Sequence, residues 1–179
     1  MLGEPRMYYS TKTYGTDRGL SCCFRQWKAT HSHCSTLHGY SIGIKLIFQS
    51  ETLDDRNWVM DFGGLKQFKE WADHMFDHTL IMAKDDPFLD EFLRISRIRR
   101  TGMATEGAPH EMGNPMDIRI VDNVGCEGFA KMAFDKMSEM LVDMKRDNIG
   151  RYPVGKTVKL KSVEVFEHAG NSAIFERNN

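Results

Sequence analysis

The sequence predicts an α+β domain with mostly antiparallel pairing, on three observations. Residues 37–49 alternate in side-chain character at a period of two. Residues 65–76 and 127–144 instead gather their apolar side chains on one helical stripe. Strand-like segments also stand before and after these two helices, giving the order strands, helix, insertion, helix, strands. The length, 179 residues, suits one domain over 1–179 with an insertion around 85–116.

Taken in order, residues 6–28 are rich in Tyr, Thr, Cys, Phe and Trp, with Gly15 and Gly19 between two halves, which reads as two strands and a turn. In 37–49, Ile42, Ile44, Leu46 and Phe48 form the more apolar face, and the same period puts His38 and Tyr40 on the side of Ile42. The first helix carries its stripe on Leu65, Phe68, Ala72, Met75 and Phe76. The second carries Phe129, Met132, Ala133, Met137, Met140, Leu141 and Met144, a methionine-rich face that reads as core. Gly and Pro make 101–116 a loop, and strands are expected at 117–121, 158–166 and 173–175.

Charge excludes some partners. With 24 basic and 25 acidic residues the formal net charge is −1, so no global field draws nucleic acid or an anionic membrane, and any anion must be held by a local cluster. No apolar run approaches the roughly 18 residues of a membrane span. Residues 1–10 lack the pattern of a secretory leader. The four cysteines, Cys22, Cys23, Cys34 and Cys126, have neither disulfide-framework nor four-cysteine zinc spacing. A reducing, cytoplasmic setting is the expectation. Cys22, Cys23 and Cys126 read as small buried apolar residues.

Four groups carry chemistry. His31, His33, Cys34 and His38 fall within eight residues. Neutral imidazoles suit zinc, and a thiol beside a dication ionises more easily; the alternative is a polar loop with incidental histidines. Asp77-His78 ends the first helix, where an aspartate can hold a histidine in one tautomer, or the pair can be an ordinary helix terminus. Glu127 starts the second helix and Glu167 ends an apolar strand, as ligand-binding carboxylates or as solvated charges. Arg94, Arg97, Arg99 and Arg100 lie within seven residues, able to grip phosphate through forked bonds or to form a solvated basic helix end.

Together these residues resemble one family. Cys34-x-x-x-His38-Gly39 is similar to the Cys-x-x-x-His-Gly-His signature of 6-carboxy-tetrahydropterin synthases. The stretch from Trp58 to Lys66 resembles that family's Asp-Phe then Leu-Lys motif, through Asp61-Phe62 and Leu65-Lys66. Phe76-Asp77-His78 resembles its Leu-Asp-His, and Asn123-Val124-Gly125-Cys126-Glu127 its Asn-Pro-Thr-Ser-Glu. Val163-Glu164-Val165-Phe166-Glu167 matches its Val-x-Val-x-Glu. The five blocks occur in family order across roughly residues 24–176.

The resemblance, to the 6-pyruvoyl/6-carboxy-tetrahydropterin synthase family, implies a tunnelling fold (T-fold): an antiparallel sheet with two helices on one face. It implies a homo-oligomeric barrel, hexamer or tetramer, with active sites at subunit interfaces. The implied substrate is 7,8-dihydroneopterin triphosphate. The three-residue spacing from Cys34 to His38 resembles the carboxy branch, whose products are 6-carboxy-5,6,7,8-tetrahydropterin, acetaldehyde and triphosphate, on the way to queuosine and other 7-deazaguanines. The resemblance further implies Cys34 as the group that moves a side-chain proton, Asp77 and His78 as the opposing acid/base pair, and Glu167, assisted by Glu127, as the pterin anchor. Arg97, Arg99 and Arg100 are candidates for the triphosphate outside the motif.

The match breaks in three places. The family's second histidine of His-Gly-His is Tyr40, its first histidine falls on Lys28, and Pro-Thr-Ser has become Val124-Gly125-Cys126. Only His38 maps directly as a ligand. His31 and His33 stand near enough in sequence to complete a zinc site with it, and His168 is a further candidate facing away on a regular strand. Open alternatives are the pyruvoyl reaction, a related dihydroneopterin side-chain lyase, and a pterin- or purine-binding protein without turnover.

Overall fold

The computed structural model describes residues 7–96, 116–147 and 151–177. Its strands are β1 (Tyr8–Tyr14), β2 (Ser21–Phe24), β3 (His38–Ser41), β4 (Gly43–Ser50), β5 (Thr79–Ala83), β6 (Ile118–Val121), β7 (Lys159–His168) and β8 (Asn171–Glu176). Its α-helices are α1 (Lys66–Phe76), α2 (Leu89–Ser96) and α3 (Cys126–Asp147). The α+β class is as expected.

Two four-stranded sheets form. One has the order β1-β4-β7-β8 and is antiparallel throughout. The other has the order β3-β2-β5-β6, with β2 antiparallel to β3 but parallel to β5, and β5 parallel to β6. The sequence reading missed β5 for a physical reason. Its five residues, Thr-Leu-Ile-Met-Ala, are all buried, so the strand has no polar face and shows no alternation. The single strand expected over 37–49 is two strands. The chain leaves one sheet at Ser41 and enters the other at Gly43, while the Ile42 N–H between them donates to the Leu20 carbonyl at 3.1 Å.

That crossing is tight. A Cβ on Gly43 would stand 2.1 Å from the Phe166 ring of the neighbouring β7, so only glycine lets the strands approach at this register. The core lies between the strands and helices α1 and α3. Phe24, Leu46, Phe68, Phe76, Phe129 and Val163 are fully or almost fully buried in it. Each such side chain stabilises the fold by about 1.5–3 kcal/mol. The Asp-Phe block at Asp61-Phe62 serves the fold directly. Asp61 Oδ1 accepts from the Gly63 N–H at 2.8 Å, capping the 3-10 turn Phe62–Leu65 that leads into α1. The expected insertion around 85–116 contains α2, while residues 97–115 lie outside the described residues.

Candidate active site

The floor of the site comes from the β2–β3 pairing. Phe24 stands opposite His38 and Cys22 opposite Tyr40, which puts these four side chains on one face. The diagonal pair Phe24 and Tyr40 stack at 3.9 Å with planes 8° apart, and the Phe24 ring is held from below by Phe129, edge-on at 5.1 Å. His38 leans on Tyr40, ring to ring at 4.5 Å. The His38 Nδ1–H donates to the Thr36 carbonyl at 2.7 Å, which fixes the tautomer and leaves Nε2 with its lone pair.

Electrostatics show what surrounds the Tyr40 hydroxyl. Burial pushes it up to about 12, and Glu167, Cys34, Cys126 and Cys22 each push in the same direction. The Cys126 thiol, at the first turn of α3, is also pushed up to about 12, by burial and then by the charges of Glu167 and Glu127. Three residues singled out from the sequence, Cys34, Glu127 and Glu167, thus gather around Tyr40 and Cys126. The reading of Cys126 as a small buried residue holds for its burial, but it also stands beside two carboxylates. Gly125, with φ 116°, makes the turn into α3, and a Cβ there would meet the Gln26 side-chain nitrogen at 2.5 Å.

Cys34 sits half-buried in a 3-10 turn, His33–Ser35. Ser32 caps this turn, its Oγ accepting from the Cys34 N–H at 3.2 Å, and the Ser35 hydroxyl donates back to the Ser32 carbonyl at 2.8 Å. The Gln26 N–H donates to the Cys34 carbonyl at 2.7 Å, tying the turn to the end of β2.

Asp77 and His78 occupy a second place. Helix α1 ends at Asp77, whose N–H donates to the Asp73 carbonyl, and His78 adopts φ 55° as the chain turns into β5. The His78 Nδ1–H donates to Asp77 Oδ1 at 2.7 Å. The pair opens into a cleft of about 960 Å³ shared with Cys23, Leu37, His74 and Arg119. Cys34 is not part of that lining, so within one chain the thiol and the Asp77–His78 pair face different spaces.

Residues 16–178 match the sequence profile of the family described as 6-pyruvoyl tetrahydropterin synthase. The chain belongs to that family. Among curated relatives, the 6-carboxy-5,6,7,8-tetrahydropterin synthases of Rickettsia conorii and Rickettsia felis are 37% identical over 54 residues, 30% of this chain. The aligned stretch spans only 39% of those relatives' length. A Wolinella succinogenes protein of uncharacterized function superposes with a TM-score of 0.68 at 20% identity, covering 97% of this chain and 99% of the other. The Plasmodium vivax 6-pyruvoyl tetrahydropterin synthase superposes at 0.61 and 15% identity, with the same coverage. The T-fold expected from the sequence is therefore the fold of this chain.

The zinc expectation is tested by the donors. At the two places where the motif comparison put family histidines, this member of the family has Lys28 and Tyr40. The Lys28 ammonium is paired with Asp85 at 2.5 Å, and Tyr40 is stacked on Phe24. An ammonium has no lone pair to give, and a phenol kept protonated is a poor ligand. The proposed replacements do not close the gap: His31, His33 and His38 are all exposed, and among the described residues no three His, Cys, Asp or Glu side chains are placed to hold a metal ion together. The reason is local. The turn His33–Ser35 is held by its own cap, and His38 continues into β3 rather than folding back on it. His168 accepts from the Gly170 N–H at 3.1 Å in the β7–β8 turn. The residues present do not fit a three-histidine zinc centre.

Of the arginine run, Arg94 pairs with Glu91 on α2 at 3.1 Å, while Arg97, Arg99 and Arg100 lie outside the described residues. Two features escaped the sequence reading. Arg119 donates to the His74 carbonyl at 2.9 Å and to Asp117, building one wall of the cleft. Arg25 and Asp86 form a forked, largely buried ion pair. Sixty-one positions separate Arg25 from Asp86, and no local pattern signals it.

Proposed function

We propose that this chain is a lyase acting on 7,8-dihydroneopterin triphosphate, forming 6-carboxy-5,6,7,8-tetrahydropterin with release of acetaldehyde and triphosphate. The observation that carries the reading is the gathering of Cys34, Glu127 and Glu167 around the Tyr40–Phe24 stack. Glu167 accepts paired hydrogen bonds from the guanidine-like edge of the pterin, a charge-assisted arrangement with strong directional preference. Glu127 assists from the start of α3. Cys34 moves a proton on the side chain, and the Asp77–His78 pair serves as the opposing acid/base. His78 suits this role because Asp77 holds its Nδ1–H and leaves Nε2 for proton transfer. Since the pair and Cys34 face different spaces in one chain, the working site forms when copies associate, with the pair of one copy meeting the thiol of another. The described residues do not fit zinc, so this route uses side-chain acids and bases alone.

One observation favours a second reading. Lys28 in its ion pair and Tyr40 in its stack occupy ligand places with groups that cannot ligate, as in a protein that binds a pterin or purine without turning it over. Incubation with 7,8-dihydroneopterin triphosphate, with products identified by mass and metal content measured alongside, separates the two. Formation of 6-carboxy-5,6,7,8-tetrahydropterin supports the lyase. A 6-pyruvoyl product or a simple cleaved side chain moves it to a sister reaction. Binding with unchanged substrate supports the second reading.

A further inference from the structure

Asp85 and Asp86 follow β5 and meet the segment just beyond β2. Asp85 accepts from the Trp27 indole N–H at 3.2 Å and from Lys28 at 2.5 Å, but Lys28 and Asp85 are both well exposed. Exposed pairs of this kind hold little. Asp86 is different. Its side chain is 1% exposed, and both carboxylate oxygens are used: Oδ2 accepts from Arg25 Nε at 2.9 Å and Oδ1 from Arg25 Nη2 at 2.7 Å. Oδ1 also accepts from the Phe88 N–H at 2.9 Å, and the guanidinium lies over the Phe88 ring at 5.1 Å. The remaining arm of the guanidinium, Nη1, donates to the Ser35 carbonyl at 3.3 Å. Ser35 is the residue after Cys34 in the same 3-10 turn.

We propose that Arg25 and Asp86 are positioning residues for Cys34, a buried ionic strut that sets the height and direction of the thiol-bearing turn over the Tyr40 stack. The inference rests on the reading of Cys34 as the proton-moving group. The geometry is directional: Asp86 orients the planar guanidinium through two parallel bonds, and the arm left over can point only where Ser35 lies. The Gln26 N–H to Cys34 carbonyl bond fixes one side of the turn and the Arg25 arm fixes the other. Among the described residues no metal cluster organises this region, and the strut anchors the turn to the β5–α2 connection.

The test is thiol alkylation of the full-length protein with mass mapping of each cysteine, in wild type, Asp86→Asn and Arg25→Lys. Cys23 is exposed and supplies the reference rate, while Cys22 and Cys126 are buried and report an intact core. The strut predicts that both variants raise Cys34 labelling relative to Cys23 by at least about threefold, through local opening of the turn, with Cys22 and Cys126 still protected. It also predicts that kcat on the pterin falls while KM holds, because Glu167 is untouched. If Asp86→Asn uncovers Cys22, Arg25→Lys decides, since it keeps a cation beside Asp86 and loses only the fork. An unchanged Cys34 to Cys23 ratio in a folded variant overturns the strut. Wild type that shows no turnover sinks the lyase reading alone and leaves the labelling result standing.

Discussion

His78 Nδ1 and Asp77 Oδ1 lie 2.7 Å apart, a bond between sequence neighbours that a regular strand would keep on opposite faces. It exists because Asp77 is extended at the end of α1 and His78 turns to φ 55°. The His78 N–H is then anchored on the Ser21 carbonyl at 2.7 Å, and its ring stands 87% exposed in the cleft. The strained backbone and the exposed ring point to a side chain placed for use rather than for packing.

Asp77→Asn keeps the shape of this pair and removes the charge that steadies the imidazolium. If His78 is the acid/base, kcat on 7,8-dihydroneopterin triphosphate drops by about 10²-fold or more, the ordinary contribution of a positioned proton-transfer group. KM should hardly move. Steady-state kinetics with mass-identified product checks it, and a variant as fast as wild type removes the pair from the mechanism.

His78→Gly tests the strain separately. A glycine adopts φ 55° without the Cβ conflict that a histidine carries, so the folded state gains up to about 1 kcal/mol while activity is lost. A thermal melt showing His78→Gly at or above the wild-type midpoint, together with absent turnover, fits a residue kept for chemistry at a cost in stability. A clearly lower midpoint would show that the side chain itself holds α1 to β5.

The ligand places make a third prediction. Lys28→His with Tyr40→His, added to His38, restores nitrogen donors at three places and should yield a chain that retains about one zinc per copy after dialysis, where wild type retains none. Metal analysis of both proteins checks it. Stoichiometric zinc in wild type would show that His31 and His33 reach His38 by a rearrangement of the 29–37 loop.

How much of this was legible follows from residue pattern. The alternation from His38 to Phe48 and the stripes of α1 and α3 are local, and local pattern reads well. The kink at Ile42 was hidden because the alternation continues through it while the pairing partner changes from β2 to β1 and β7. Strand β5 was hidden by its burial on both faces. In the site, Cys34, Glu127 and Glu167 were readable from ordered motifs, and the structure gathers them. The histidine replacement was not, because nearness along the chain at 31, 33 and 38 says nothing about how a capped turn and a strand orient their rings. The Arg25–Asp86 pair joins segments whose contact depends on the parallel β2–β5 pairing, which was itself unreadable.

Glu167→Gln removes the charge from the pterin anchor while keeping a side chain of equal size. Hydrogen bonds to a charged acceptor contribute about 1.5–3 kcal/mol each, so losing that assistance should raise the pterin Kd by roughly 10- to 100-fold. Calorimetric titration with a pterin lacking the triphosphate isolates this contact from any phosphate contribution. An unaltered Kd would place the ring elsewhere.

Acid should reveal the Arg25–Asp86 strut. Burial by itself would raise the Asp86 carboxyl, but the Arg25 bonds and the Phe88 N–H outweigh it and the group ends below the ordinary carboxylate range. A depressed folded value means that the carboxylate stabilises the fold above the unfolded value, about 3.9, and that this stabilisation is lost as pH falls through the lower folded value. At pH 7, Asp86→Asn leaves the Arg25 guanidinium, itself only 17% exposed, without its charge partner. Removing one member of a buried pair costs about 3–5 kcal/mol, and the exposure of Arg25 puts the expected loss toward the lower end. Denaturant unfolding of wild type and Asp86→Asn at pH 7 and again below pH 4 should therefore show a gap of about 3 kcal/mol that narrows in acid, because the wild-type carboxyl is then being protonated too. A gap that stays constant across that range would mean that the asparagine costs stability through packing, with the charge of Asp86 playing no part.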